Sequence, residues 1–224
     1  MNGTLFVINP NATEAVTEGI ARAIAPLGGL AVPVTGLTLA EGPPAIESQA
    51  QADLTVAPML DLAARLEPEA AGYVIACFGD PGVHALRDRT AKPVLGIQEA
   101  AVATALTLGQ RFGILAILPA SIPRHLRSLG AMGVLDRLAG DRALGLGVAE
   151  LSDPERTGAR MIDIGRALRD GDGAEVLILG CAGMAQYRAT LEQALQIPVI
   201  DPCQATVAMA QGRIALVQTH RPGG

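Results

Sequence analysis

Two cysteines in matching positions of an internal repeat are the residues best suited to chemistry. Cys77 follows the apolar run 74–76 and Cys181 follows the apolar run 178–180, and a glycine stands two positions after each cysteine. A Pro-Val pair comes later in both halves, at Pro93 and at Pro198. The cysteines lie 104 residues apart and the prolines 105, which indicates one α/β unit copied twice.

The repeat predicts a thiol at the carboxyl end of the equivalent strand in each half, where open parallel sheets bind their ligands. Two thiols that face each other predict proton transfer on both sides of one substrate atom. The N-terminus of a helix after each strand is expected to lower the thiol pKa from about 8.5. Cys203 has no counterpart in the other half, and we interpret it as a small buried hydrophobic residue.

Strands and helices alternate along the chain, which is the pattern of a parallel α/β sheet. Strands are predicted near residues 4–8, 30–35, 72–77, 93–96, 112–118, 144–148, 175–180 and 197–200. Helices are predicted near residues 13–25, 47–66, 82–90, 98–109, 121–131, 154–170, 184–195 and 203–218. Asn11 followed by Glu14 is typical of a helix start. Asp80 before Pro81 is typical of a helix N-cap, with a catalytic group as the second interpretation.

Composition argues against several classes of partner. Half of the 224 residues are hydrophobic, so the chain can bury a sizeable core. The apolar runs are about 4–8 residues long, too short for a membrane span of about 18. A net charge of −5 and 2% aromatic residues argue against nucleic-acid binding. No signal-peptide pattern precedes the first apolar run, so we expect a cytoplasmic protein with free thiols.

We expect neither a metal nor a cofactor. His84, His125 and His220 stand alone, without Cys-x-x-Cys or His-x-x-x-His spacing, and we interpret each as a surface or helix residue. The segment after the first strand lacks the glycines of a phosphate loop. Residues 145–150 half resemble a Gly-x-Gly-x-x-Gly turn, but we place them within a strand.

Five segments together resemble one family of enzymes. Residues 8–11, 75–82, 96–101, 179–185 and 198–201 are similar to segments of the hydantoin and allantoin racemases, which belong to the aspartate/glutamate racemase superfamily. The segment around Cys77 is the most specific, and the resemblance covers nearly the whole chain.

The resemblance implies two pseudo-symmetric α/β lobes, each a mostly parallel sheet flanked by helices, with the active site in the cleft between them. The first lobe would comprise residues 1–97 and 205–224, and the second residues 98–204. A small-molecule substrate and a homo-oligomeric protein are expected.

The resemblance also implies a cofactor-independent inversion of a carbon next to a carbonyl group, with Cys77 and Cys181 on its two faces. Removing a proton there leaves an enolate, and returning a proton to the opposite face inverts the centre. The backbone N–H groups expected to stabilise the enolate belong to Phe78, Gly79, Ala182 and Gly183.

Other positions correspond to the family's substrate-binding residues. Asn9, Pro10 and Asn11 resemble its substrate loop, although turn chemistry alone explains these residue types. Ile46 and Glu47 match its Ile-Glu pair, with surface exposure as the alternative for Glu47.

One segment departs from the family pattern. Family members tend to place threonines at the end of the second lobe's first strand, whereas residues 115–120 carry no hydroxyl group. The hydroxyl of Ser121 either bonds a ring carbonyl or caps the helix that it begins. We therefore expect a more apolar cleft and a hydantoin with a hydrophobic 5-substituent.

Several alternatives stay open. Allantoin, aspartate or glutamate would suit other branches of the same superfamily. A decarboxylase, a cis-trans isomerase and a non-catalytic metabolite-binding protein are less favoured, and the decarboxylases typically retain only the second cysteine.

Overall fold

The computed structural model describes residues 3–147, 150 and 154–219. The strands are β1 (Thr4–Asn9), β2 (Val34–Thr38), β3 (Ala70–Ile75), β4 (Val94–Gly96), β5 (Phe112–Ala116), β6 (Leu138–Ala143), β7 (Val176–Leu179) and β8 (Val199–Ile200). The helices are α1 (Glu14–Ile24), α2 (Gln49–Leu54), α3 (Val56–Leu66), α4 (Val83–Arg87), α5 (Ile97–Ala105), α6 (Ile122–Met132), α7 (Pro154–Arg166), α8 (Arg188–Leu195) and α9 (Pro202–Thr219).

The strands form two four-stranded parallel sheets with the same strand order. The first sheet runs β2-β1-β3-β4 and the second runs β6-β5-β7-β8. Every residue of β3, β5 and β7 is buried, as expected for central strands with helices on both faces. This architecture confirms the prediction of two α/β lobes built on parallel sheets.

The strand predicted at 144–148 is wrong. The second strand of the second half is instead β6, which ends at Ala143, and Gly145 has a φ of 74° that interrupts an extended conformation. Strand β6 was not predicted because two of its six residues, Asp141 and Arg142, are charged. Both are neutralised by distant partners, since Asp141 pairs with His125 and Arg142 pairs with Asp172. Residue 148 lies outside the described residues.

The first-half predictions also need correction at several boundaries. The strand expected at 30–35 is β2, which begins at Val34, and the helix expected at 47–66 divides into α2 and α3 at Thr55. Helix α1 begins after Thr13, while the Asn11 side chain accepts a hydrogen bond from the Thr13 N–H at 2.9 Å. Asn11 therefore organises the turn before the helix without being its N-cap.

Helices α5 and α9 lie between the two sheets. One continuous core contains Val74 from the first sheet and Ile178 from the second, together with Ala101 of α5 and Val207 of α9. The side chains on α5 are mostly small and buried, which allows both sheets to approach the helix pair closely. Within the described part of the chain, no helix is both long and apolar enough to cross a membrane.

The C-terminal helix α9 is fixed to the first half of the chain by the buried side chain of Gln211. Its Oε1 accepts hydrogen bonds from the N–H groups of Ala31 and Val32, each at 3.0 Å, and its Nε2 donates to the Val32 carbonyl at 2.8 Å. These bonds support our proposal that residues 205–224 complete the first lobe, with the lobe boundaries at 97 and 204.

We predict that Gln211→Ala lowers the free energy of unfolding by about 2–4 kcal/mol, because it leaves buried N–H and carbonyl groups without partners. Gly212→Ala is the matched control. A Cβ at Gly212 would meet no atom within 4 Å, and alanine favours a helix by up to about 1 kcal/mol over glycine. Urea unfolding of the three proteins tests this, and equal midpoints for wild type and Gln211→Ala would contradict it.

Candidate active site

A cavity between the two sheets brings both candidate catalytic thiols to one place. Cys77 follows β3 and Cys181 follows β7, and these strands are each second from one edge of their sheets. The cavity is lined by Asn11, Val16, Ile46, Ala76, Cys77, Phe78, Ile117, Ser121, Arg124, His125, Gly180, Cys181 and Ala182.

A turn, rather than a helix, follows Cys77. Gly79 and Asp80 have positive φ angles of 109° and 51°, and α4 begins only at Val83. The Cys77 thiol contacts the Phe78 carbonyl at 3.8 Å. Within the described residues, the N–H groups of Phe78 and Gly79 donate to no protein acceptor, so they are available to a ligand.

Cys181 begins a 3₁₀ helix, Ala182–Tyr187, directly after its strand. Its sulfur accepts a hydrogen bond from the Gly183 N–H at 3.4 Å. A Cβ at Gly180 would lie 2.6 Å from the Leu115 carbonyl oxygen, so this position requires glycine for β7 to pass β5.

Both thiols have raised pKa values, and the expectation that helix N-termini lower them is wrong. Burial raises the pKa of Cys77 to about 12, with a further increase from the Cys181 thiol, while the Arg124 guanidinium acts in the opposite direction. Burial also raises the pKa of Cys181 to about 11, against the effect of the Gly183 N–H. Loss of solvent therefore outweighs the backbone donors.

Helix-capping carboxylates occupy the same place in the two halves. Asp80 accepts hydrogen bonds from the N–H groups of Gln98 and Glu99 at 2.8 Å, and thus caps α5. Asp201 caps α9 by accepting from the Gln204 N–H at 2.7 Å. The predicted role of Asp80 as N-cap of the next helix is wrong, because its positive φ turns the carboxylate towards α5.

The turn after β1 is held together by Asn9. Its side-chain amide donates to Asn11 Oδ1 at 3.1 Å and to Thr17 Oγ1 at 3.0 Å, so its polar atoms are used within the protein. Asn11 lines the cavity, whereas Asn9 and the buried Pro10 do not.

Of the other residues predicted to bind the substrate, some line the cavity and some do not. Ile46, Phe78, Ser121 and Ala182 line the cavity. Gly79, Glu47 and Gly183 do not line it, although the Glu47 carboxylate is close enough to raise the pKa of Cys181. We gave surface exposure as the alternative position for Glu47, and the residue is in fact half-buried.

Three polar residues near the cavity were not predicted: Arg124, His125 and Asp141. His125 is 1% exposed, and its Nδ1 lies 2.8 Å from Asp141 Oδ2. The edge of the His125 ring meets the Phe78 ring at a centroid distance of 4.9 Å. His125 therefore lies on a helix, which is one of the two positions expected for it, but it is buried and not at the surface. The cleft that we expected to be more apolar also presents the polar side chains of Arg124 and His125. A helical Arg-His pair gives no sequence signal because only tertiary packing directs it inwards.

No group of three or more His, Cys, Asp or Glu side chains within residues 3–147, 150 and 154–219 is placed to hold a metal ion.

Comparisons with known proteins agree with this geometry. The sequence matches the Asp/Glu/Hydantoin racemase family over residues 5–210. The hydantoin racemase of Paenarthrobacter aurescens is 34% identical over 218 residues, covering 95% of this chain and 91% of that protein. The hydantoin racemase of Pseudomonas sp. (strain NS671) is 36% identical over 208 residues, covering 92% and 83%.

A solved structure shows the same fold. The allantoin racemase from Klebsiella pneumoniae superposes with a TM-score of 0.88 at 33% identity, covering 96% of this chain and 89% of that chain. Fold and sequence similarity thus define a racemase, which is an isomerase. The chain belongs to the Asp/Glu/hydantoin racemase family.

We predict that both thiols of the free protein react slowly with iodoacetamide at pH 8, at least tenfold more slowly than an unperturbed thiol of pKa about 8.5. A thiol with a raised pKa stays protonated at this pH, so the rate should climb steeply between pH 8 and pH 10. Peptide mapping by mass spectrometry measures each cysteine separately, with urea-unfolded protein as the control. A rate independent of pH from 6 to 8 would argue against raised pKa values.

We also predict a pH-dependent effect of Asp80→Asn on stability. Burial raises the pKa of Asp80 to about 7, above the unfolded value of about 4, so the folded state binds more protons in between. The wild type should lose stability relative to the variant as pH rises from about 4 to about 7. The wild type should likewise lose stability relative to Asp201→Asn as the pH rises to about 6, since the pKa of Asp201 is raised to about 6. If the free energies of unfolding of the wild type and both variants changed with pH in parallel, the prediction would be refuted.

Proposed function

We propose that this racemase inverts C5 of a 5-substituted hydantoin by proton transfer between Cys77 and Cys181. The observation that carries the proposal is the meeting of two free thiols, from equivalent strand ends, in one cavity between the lobes. Relatives that are 34% and 36% identical over most of their length are hydantoin racemases, which supports this substrate class.

One turnover requires one thiolate and one thiol. The thiolate removes the C5 proton, and the electron pair of the C–H bond moves onto the adjacent carbonyl oxygen to form an enolate. The opposite thiol then gives its proton to C5, which restores the carbonyl group and inverts the centre. Cys181 raises the pKa of Cys77, because two thiolates in one cavity would repel each other. This effect supports a state with one thiolate and one thiol.

Allantoin is the second candidate substrate. The similarity to an allantoin racemase structure favours it, and so do the polar side chains of Arg124 and His125 in the cavity wall, since a ureido group needs hydrogen-bond partners. A cytoplasmic location and a homo-oligomeric state stay predictions.

A substrate panel tests the proposal. Single enantiomers of 5-benzyl-, 5-isobutyl- and 5-methylhydantoin and of allantoin are incubated with the protein, and loss of optical rotation is followed. We expect the hydantoins to racemise faster than allantoin after correction for the spontaneous rate. Racemisation of allantoin alone would replace hydantoin as the substrate, and no racemisation of any compound would refute the proposal.

We predict that Cys77→Ala and Cys181→Ala each reduce racemisation at least about 1,000-fold, because each removes the acid or base on one face. Either variant should still exchange the C5 proton of one enantiomer with D2O, and the two variants should prefer opposite enantiomers. Proton NMR of separate enantiomers measures this exchange.

Cys203→Ala is the control for these variants. Cys203 is fully buried and does not line the cavity, so its variant should keep a rate within about threefold of the wild type. Exchange of the same enantiomer by both active-site variants would refute the two-thiol mechanism.

A further inference from the structure

Arg124 presents a cation without a counterion to the cavity. It lies in the first turn of α6, and its Nη2 reaches only Ser121 Oγ, at 3.4 Å. Its Nε is buried without a hydrogen-bond partner. Within the described residues Arg124 forms no ion pair, in contrast to Arg142 with Asp172 and Arg188 with Glu192.

Asp141, the carboxylate that pairs with the neighbouring His125, does not line the cavity and forms no ion pair with Arg124. Asp141 has a 2% exposed side chain, and its Oδ2 pairs with His125. This buried pair joins α6 to β6 and holds the first turn of the helix against the cavity. A partly desolvated guanidinium without an anion is unfavourable, so its position is best explained by a negative charge that the reacting ligand supplies.

We propose that Arg124 is a catalytic residue whose guanidinium binds the ring carbonyl oxygen next to C5 and stabilises the enolate. This inference rests on the function proposed above and adds the group that receives the developing charge. When the C5–H bond breaks, its electron pair moves to the carbonyl oxygen facing Arg124. When the opposite thiol returns a proton to C5, the charge leaves that oxygen again, so no other reactant is needed.

Arg124 suits this role better than the backbone donors alone. The Gly183 N–H, which we expected to serve the enolate, already donates to the Cys181 sulfur. The N–H groups of Phe78, Gly79 and Ala182 remain, but they are neutral, whereas a charged donor forms a hydrogen bond about twice as strong. Arg124 also favours the thiolate form of Cys77, which can act as the base for one enantiomer.

The kinetic test compares Arg124→Gln, Arg124→Lys and the control Arg127→Gln. Arg127 lies on the same helix but is exposed and donates to Gln49 Oε1 at 2.8 Å. Arg124→Gln should lower kcat about 100- to 1,000-fold and change KM less than about threefold, because the charge develops only during reaction. Arg124→Lys should retain part of the rate, and Arg127→Gln should match the wild type.

A substrate-free measurement separates this role from misfolding. In Arg124→Gln, alkylation of Cys77 by iodoacetamide at pH 9 should slow relative to alkylation of Cys181 in the same molecule. A folding defect would instead expose and accelerate both thiols. Unchanged relative rates would overturn the placement of the cation beside Cys77.

The remaining outcomes are decisive. An active wild type with an unchanged kcat in Arg124→Gln overturns this inference and leaves the proposed function standing. A raised KM confined to hydantoins with a carboxylate side chain also overturns it, since Arg124 would then bind a permanent charge. A wild type without activity on hydantoins or allantoin overturns the proposed function and this inference together.

Discussion

The close packing of α5 and α9 between the two sheets is the constraint on which the site depends. Small buried side chains such as Ala101 let both sheets approach these helices, and the resulting core is continuous across the lobes. Because each helix follows the strand next to a cysteine-bearing strand, its N-terminus lies at the same edge of the sheet as the cysteine. The helix pair thereby sets the separation and the facing of Cys77 and Cys181.

The internal symmetry is kept in space more strictly than in sequence. By the 105-residue offset, Asp201 corresponds to Gly96, yet a Cβ at Gly96 would lie only 2.1 Å from the Asp80 carboxyl carbon. A carboxylate from a different loop therefore occupies the place that Asp201 fills in the other half, and each caps its helix. Both helices thus have a carboxylate cap, although the capping residue comes from a different position in each half. This indicates that capping of these two helix N-termini is required in both lobes.

The sequence predicts what is local or repeated, and fails where tertiary packing decides. The spacing of the two cysteines predicts both sheets and the meeting of the thiols, since a copied strand places its end residue identically. Strand β6 escapes detection because its charged residues are neutralised by distant partners, His125 and Asp172. The pairing of His125 with Asp141 also explains why the polar part of the cavity wall was not predicted. The thiol pKa values were misjudged because burial depends on the closed cavity, which no short motif encodes.

High thiol pKa values have opposite effects on proton transfer. At pH 8 a thiol of pKa 11 is ionised in roughly one molecule in a thousand, which limits the active fraction, but the thiolate that forms is a stronger base towards a weakly acidic C–H bond. The two thiols differ in what offsets burial: a neutral N–H from Gly183 for Cys181, and the charged Arg124 for Cys77. A pseudo-symmetric fold thus carries an asymmetric pair of acids, and substrate orientation against Arg124 would decide which enantiomer meets which thiol.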